Sequence, residues 1–301
     1  MRKELAMTGR KMMIALLVLI FSPLGAVAGG WKTVSETSIM LTQNAYSDNW
    51  AGEETGSVSW VLNSRTVLER ELHARVNNKN TFKFSFGQTH NQEKDTKAWQ
   101  PPVKSTDLID VETLFRFAIG FFVDPFASGG LESQFLDRSD ALKTRYVNPS
   151  KITESLGLAR VFLKDEKKDW TARFGVGFRQ YVNRDFLADS LSGERTTETA
   201  IDGGIEFVNE LATPLADERI TLSNKLVIFK ALFYSKSDEL EGLISENYWK
   251  APDVNWENAV TASVTSYLMV NLYTQLLYDK ELSLGARFKQ TLSLGVTYKV
   301  G

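Results

Sequence analysis

Two-residue alternation is the feature that most limits what this chain can become. Over 287–300 the even positions Leu292, Leu294, Val296, Tyr298 and Val300 are apolar or aromatic. Arg287, Lys289, Thr291, Ser293, Thr297 and Lys299 are polar. Successive side chains of a strand point to opposite faces, so the pattern predicts a strand with one greasy and one wet side. The stretch 107–123 repeats it. Ile109, Val111, Phe115, Phe117, Ile119, Phe121 and Val123 share one parity, and Asp110, Glu112, Leu114, Arg116, Ala118 and Gly120 the other. Soluble half-buried strands seldom alternate for about 15 residues, since their usual length is about 5–6. An all-β chain is predicted: a single antiparallel up-and-down transmembrane β-barrel with an apolar outside and a polar inside.

The remaining segments read the same way. Strands are expected over 31–45, 56–68, around Phe82, Phe84 and Phe86, over 107–123, 126–135, 152–163, 170–182, 199–209, 219–235, 254–266, 268–278 and 282–300. That makes about twelve, an even count that leaves both ends of the barrel sequence on one side. Long polar connections alternate with short ones such as KDEKKD at 164–169, as expected of a barrel with short turns at one end and long loops at the other. Trp31, Trp50, Trp99, Trp170, Trp249 and Trp256 fall at expected strand ends or in connections, with Trp60 mid-strand. That spacing suits indole rings at two membrane interfaces.

The N-terminus argues for export. Arg2, Lys3, Arg10 and Lys11 precede an apolar run from Met12 to Phe21, and Ala26, Val27 and Ala28 form a small-x-small site. This predicts a signal peptide over 1–28, cleaved after the inner membrane is crossed, and a barrel over 29–301. The run is about half the roughly 20 residues a spanning helix needs, and the sequence holds no longer one. Without cysteine the chain can form no disulfide, thiolate metal site or thiol nucleophile. The stretch after residue 28 is mildly acidic, which argues against a nucleic-acid partner.

If the apolar parities face lipid, the other parities line the lumen. They supply Asp110, Glu112, Arg116, Arg173, Arg179, Asp202, Glu206, Arg287 and Lys289. Mixed signs on neighbouring strands are expected to pair, because an unpaired charge in a partly dry interior is costly. The same residues could instead line a charge-selective pore. Of the two histidines, His90 shares the parity of Phe82, Phe84 and Phe86. Gln92 holds the next position on that face and no serine stands beside it, so nucleophilic catalysis lacks its parts. His73 sits near an expected turn. The sequence contains no phosphate loop, HExxH or calcium-loop pattern, and no catalytic residue, metal site or cofactor is expected.

Two resemblances follow from particular residues. Ser293, Gly295, Tyr298 and Val300 resemble the C-terminal signal by which outer-membrane barrels are assembled, with Val300 and Gly301 where a final Phe is usual. The blocks Ser47-Asp48-Asn49-Trp50-Ala51-Gly52, Asp253-Val254-Asn255-Trp256-Glu257, Gln275-Leu276-Leu277-Tyr278-Asp279 and Arg287-Phe288-Lys289-Gln290, with Leu294-Gly295 and Tyr298-Lys299, resemble the envelope family called domain of unknown function 3078. The C-terminal third carries the more specific part; the first block departs from the family's Asn-Trp-Ala-Ala-Gly-Gly. The resemblance implies a barrel of the bacterial outer membrane, with no activity or binding residue to carry over. The expected partners are outer-membrane lipids, the barrel assembly machinery, and an unidentified small solute or extracellular ligand. The expected function is a non-enzymatic small-solute channel or structural barrel. The alternatives are a closed-lumen receptor or adhesion barrel that binds through its loops, and a lipase-type barrel that lacks its nucleophile.

Overall fold

The structure, a computed structural model, describes residues 30–46, 55–140, 142–165, 167–188, 192–216 and 219–300. The predicted signal peptide and the Ser47-to-Gly52 block lie outside the described residues. Twelve long strands close on themselves: β1 (Lys32–Asn44), β2 (Ser57–His73), β3 (Val76–Asn91), β4 (Val103–Phe117), β5 (Asp124–Ser133), β8 (Ser150–Lys164), β9 (Asp169–Leu187), β10 (Arg195–Leu215), β11 (Ile220–Tyr234), β12 (Asp253–Ser263), β13 (Leu268–Tyr278) and β14 (Arg287–Val300). Each pairs antiparallel with its chain neighbours. The last strand closes on the first, with Thr37 opposite Tyr298 and Leu41 opposite Leu294. Closure removes both sheet edges, so no row of backbone donors is left open to another chain. Two further short strands, β6 (Leu136–Asp137) and β7 (Arg145–Tyr146), form a small hairpin inside the connection from β5 to β8.

Alternation decides which side faces out. On β14 Leu292, Leu294, Val296 and Tyr298 are exposed while Ser293 and Thr297 are buried. On β8 Leu156 and Leu158 are 62 % and 50 % exposed, and on β9 Phe174 and Val176 stand opposite them and are exposed too. The exposed apolar rows run from strand to strand, far beyond the scattered single residues usual on a water-facing surface. Among the described residues no helix is long and apolar enough to cross a membrane; a barrel crosses with strands. Gly157 and Gly175 face each other across β8 and β9, where a Cβ would come within 2.3 Å of the Phe174 oxygen or 2.2 Å of the Leu156 oxygen. The two strands approach each other there only because neither position carries a side chain.

Several boundaries differ from the sequence reading, and each has a local cause. Ile119, Phe121 and Val123 do not extend β4; they lie in the connection 118–123, where Gly120 takes a positive φ and Asp124 Oδ1 accepts the Ile119 N–H at 3.3 Å. Strand β2 runs on to His73 and meets β3 through a tight turn, so His73 lies opposite Val76. Trp60 is the fourth residue of β2, close to the long-loop end rather than mid-strand. The last strand begins at Arg287, not Leu282, because Asp279 folds the preceding segment back, accepting the Glu281 N–H at 3.0 Å.

The connections 118–123, 165–168, 216–219 and 264–267 are short, whereas 92–102, 134–149 and 235–252 are long and open at the other end. The segment 134–149 is pinned to the wall. Asp107 accepts the Phe135 and Leu136 N–H groups at 2.6 and 2.9 Å, and the Phe135 ring lies 6.1 Å from Phe84 and 6.2 Å from Phe86. Arg145 pairs with Asp137 at 2.6 Å, and Asn148 joins Asp137 to β9 by accepting the Arg184 N–H at 2.7 Å.

Candidate functional site: the charged interior

Contacts between strands that are not neighbours in the sheet must run through the barrel, and they place the charged parity inside. Glu112 of β4 meets Arg173 of β9, Oε1 to Nη2 at 2.7 Å, and lies 3.9 Å from Lys225 of β11. Lys225 also reaches Glu210 of β10 at 3.4 Å. Beside them Lys83 pairs with Asp110 at 3.4 Å and Lys151 with Glu132 at 2.9 Å. Arg173 is 3 % exposed and its guanidinium lies over the Phe126 ring. Desolvating charges costs several kcal/mol each, which an interior of this kind offsets only by pairing them.

Toward the long-loop end Arg179 donates twice to Asp202, Nε to Oδ1 at 2.8 Å and Nη2 to Oδ2 at 2.7 Å. Its Nη1 donates to Asp253 at 2.8 Å. The guanidinium lies 3.5 Å from the Phe229 ring centre, a stacked and fork-bonded geometry available to arginine and not to lysine. Glu281, in the connection 279–286, has its carboxyl pushed up to about 7 by burial and by the negative charges of Asp279, Asp253 and Asp202, with Arg179 opposing. Toward the short-turn end Lys164 bridges Glu69 at 3.0 Å and Asp169 at 3.2 Å, and Lys79 reaches Asp169 at 3.4 Å. Because β2 and β8 are four strands apart in the twelve-strand ring, this cluster reaches across the interior.

The wall from β12 through β14 to β1 carries hydrogen bonds, one of them to the Glu257 carboxylate. Gln275 donates to Asn255 at 3.0 Å, Asn271 to Thr261 at 2.8 Å, Tyr273 to Glu257 at 3.3 Å and Ser293 to Met40 at 2.8 Å. Of the residues singled out in the sequence, Asp110, Glu112 and Arg173 come together at mid-barrel, and Arg179 and Asp202 form one pair. Arg116 pairs with Asp124 at 2.7 Å near a short turn, and Arg287 and Lys289 are exposed at the long-loop end of β14, where Lys289 Nζ donates to Thr106 Oγ1 at 3.5 Å. Glu206 lies near Arg173 without touching it. Lys225, Glu210, Glu132, Lys151 and Glu69 were not singled out, although the alternation of β2, β5, β8, β10 and β11 would have assigned them the same face; Lys164 shares the parity of the outward Leu156 and Leu158 and joins the cluster beyond the register shift between Val161 and Leu163. The two histidines, on β2 and β3, take no part in these clusters, and among the described residues no group of three or more His, Asp or Glu could hold a metal.

A cavity of about 130 Å³ lies in this interior. Its floor is made of small residues, Gly130, Ser128, Thr153 and Ser155 on β5 and β8, with Val208, Val227 and Phe229 opposite. Charged groups of both signs look into it.

Comparison with solved structures finds alignments over nearly the whole chain. An outer membrane channel from Pseudomonas putida F1 aligns at 14% identity and TM-score 0.43, covering 92% of this chain and 97% of that one. The translocator domain of the autotransporter NalP from Neisseria meningitidis aligns at 11% identity and TM-score 0.38, covering 98% of each. No curated protein sequence matches. Residues 41–138, which include the degraded first block and strands β2 to β5 rather than the C-terminal third, match the family described as Protein of unknown function (DUF3078), and over that segment the resemblance read from the sequence is borne out.

Proposed function

We propose that this is a bacterial outer-membrane barrel, exported by a signal peptide cleaved after residue 28, that lets small solutes cross through a charged, narrow lumen. The observation that carries the reading is the closed barrel with a continuous exposed apolar outside and a charged inside, as Leu156, Phe174 and Leu294 against Arg173, Glu112 and Arg179 illustrate. In water such an outside would drive aggregation, whereas lipid accepts it without cost. On this reading the nine residues Asp110, Glu112, Arg116, Arg173, Arg179, Asp202, Glu206, Arg287 and Lys289 line the path, and insertion depends on the barrel assembly machinery. The stacked Phe162 and Trp170, 4.6 Å apart near a short turn, and Trp256 near the long loops would sit at the two membrane interfaces.

A second reading is favoured by the cross-barrel clusters themselves. Pairs such as Glu69 with Lys164 and Glu112 with Arg173 join strands that share no edge, as they would in a barrel closed to solute that binds a partner through its long loops. Conductance of the purified protein in a planar bilayer separates the two. Discrete, reproducible current steps support the channel; a folded barrel that inserts and stays silent supports the closed one.

A further inference from the structure

The mid-barrel cavity holds two groups whose partners are missing from the pairing that surrounds them. Arg173 is 3 % exposed and gives its Nη2 to Glu112, yet its buried Nη1 has no hydrogen-bond partner among the described residues. Glu206 looks into the same cavity and, among the described residues, joins no ion pair and accepts no hydrogen bond. The register sets the two on adjacent strands, Arg173 opposite Val208 and Glu206 opposite Gly175, so they are diagonal neighbours. Leaving a buried donor without an acceptor costs about 1–3 kcal/mol, more for a charged group.

The other charges at the cavity are engaged with each other. Lys151 is held by Glu132, Lys225 by Glu112 and Glu210, and Arg179 by Asp202 and Asp253. A lone anion entering would meet Arg173 but also the negative charge of Glu206 beside it, and a lone cation the reverse. A solute that offers an acceptor to one and a donor to the other satisfies both. The volume, about 130 Å³, far exceeds a one-water cavity of ~10–15 Å³, and Val208, Val227 and Phe229 give it one apolar wall.

We propose that this cavity is a binding subsite for a small zwitterion of the α-amino acid class, its carboxylate beside the Arg173 guanidinium and its ammonium on Glu206. The proposal deepens the channel reading and rests on it: the subsite would be where a solute pauses on its way through.

The test is calorimetric titration of the purified full-length barrel in detergent micelles with L-alanine. L-lactate (no ammonium), ethylamine (no carboxylate) and glycerol (neither charge) serve as controls. Alanine is expected to bind saturably and at least about tenfold more tightly than any control, the loss that follows from removing one hydrogen bond to a charged group. Glu206→Gln should weaken alanine by a similar factor and leave lactate unchanged or tighter, a crossing of preferences that a merely misfolded variant cannot produce. Gly130→Val tests the cavity without touching a charge. A Cβ at Gly130 would meet only the Val111 oxygen at 3.6 Å and the Thr153 oxygen at 4.0 Å, so the variant should fold and lose alanine. Lactate or glycerol binding as tightly as alanine, or full alanine binding by Gly130→Val, overturns the proposal. Bilayer conductance without alanine binding overturns the subsite alone. Silent bilayers with selective alanine binding overturn the channel reading and leave the site standing, and failure of both removes both.

Discussion

Arg173 and Glu112 meet at 2.7 Å inside the barrel, from strands β9 and β4 that share no edge. Glu112 has Lys225 as a second cation and Arg173 is nearly sealed from solvent, so the two residues tie three walls together at one level.

Breaking that pair from one side should be costly. Glu112→Gln leaves Arg173 buried without its carboxylate, and a loss of about 3–5 kcal/mol is expected by denaturant unfolding. Glu112→Gln combined with Arg173→Met should recover a large part of that loss, since the buried charge goes with its partner. Equal destabilisation in the single and double variants would argue that the pair is not energetically coupled.

The outer and inner parities predict opposite tolerance to charge. Leu294 is 52 % exposed on the outside near the middle of β14, and Leu294→Arg should cost about 2–4 kcal/mol of barrel stability in lipid vesicles. Thr291 stands on the inner parity opposite Tyr273, and Thr291→Arg should be markedly milder. Equal effects at the two sites would reject the lipid-facing assignment.

Arg179 holds two carboxylates at the long-loop end of the interior. Arg179→Gln releases Asp202 and Asp253, so ion selectivity measured under a salt gradient should move toward cations. An unchanged reversal potential in a conducting variant would place the ion path away from this pair.

The connection 279–286 should respond to pH through Glu281. Its carboxyl is pushed up to about 7 in the folded protein from the 4.5 of a free side chain. The stabilisation is therefore fully present below about 4.5 and is lost as pH rises through about 7, when the ionised group faces Asp279, Asp253 and Asp202. Hydrogen exchange across this connection should accelerate between pH 5 and pH 8 beyond the intrinsic rate, and Glu281→Gln should flatten the response. The same pH response in the Gln variant would assign it elsewhere.

Face and count were legible because they are local properties of the chain. Alternation along β14 separates Leu294 from Ser293 whatever lies across the sheet, and polar breaks between alternating runs number the strands. Long-loop and short-turn connections could be told apart for the same reason. Which charges meet could not be read there: Arg173 finds Glu112, and Lys164 finds Glu69, only once strand tilt and register stagger bring particular residues to one height. Bulges move that register locally, as between Gly87 and Gln88, and glycines such as Gly157 and Gly175 set how closely strands approach. The cavity has the same origin. Gly130, Ser128 and Ser155 are unremarkable one by one, and they open space beside Arg173 because closure of the barrel places them at one level on adjacent walls.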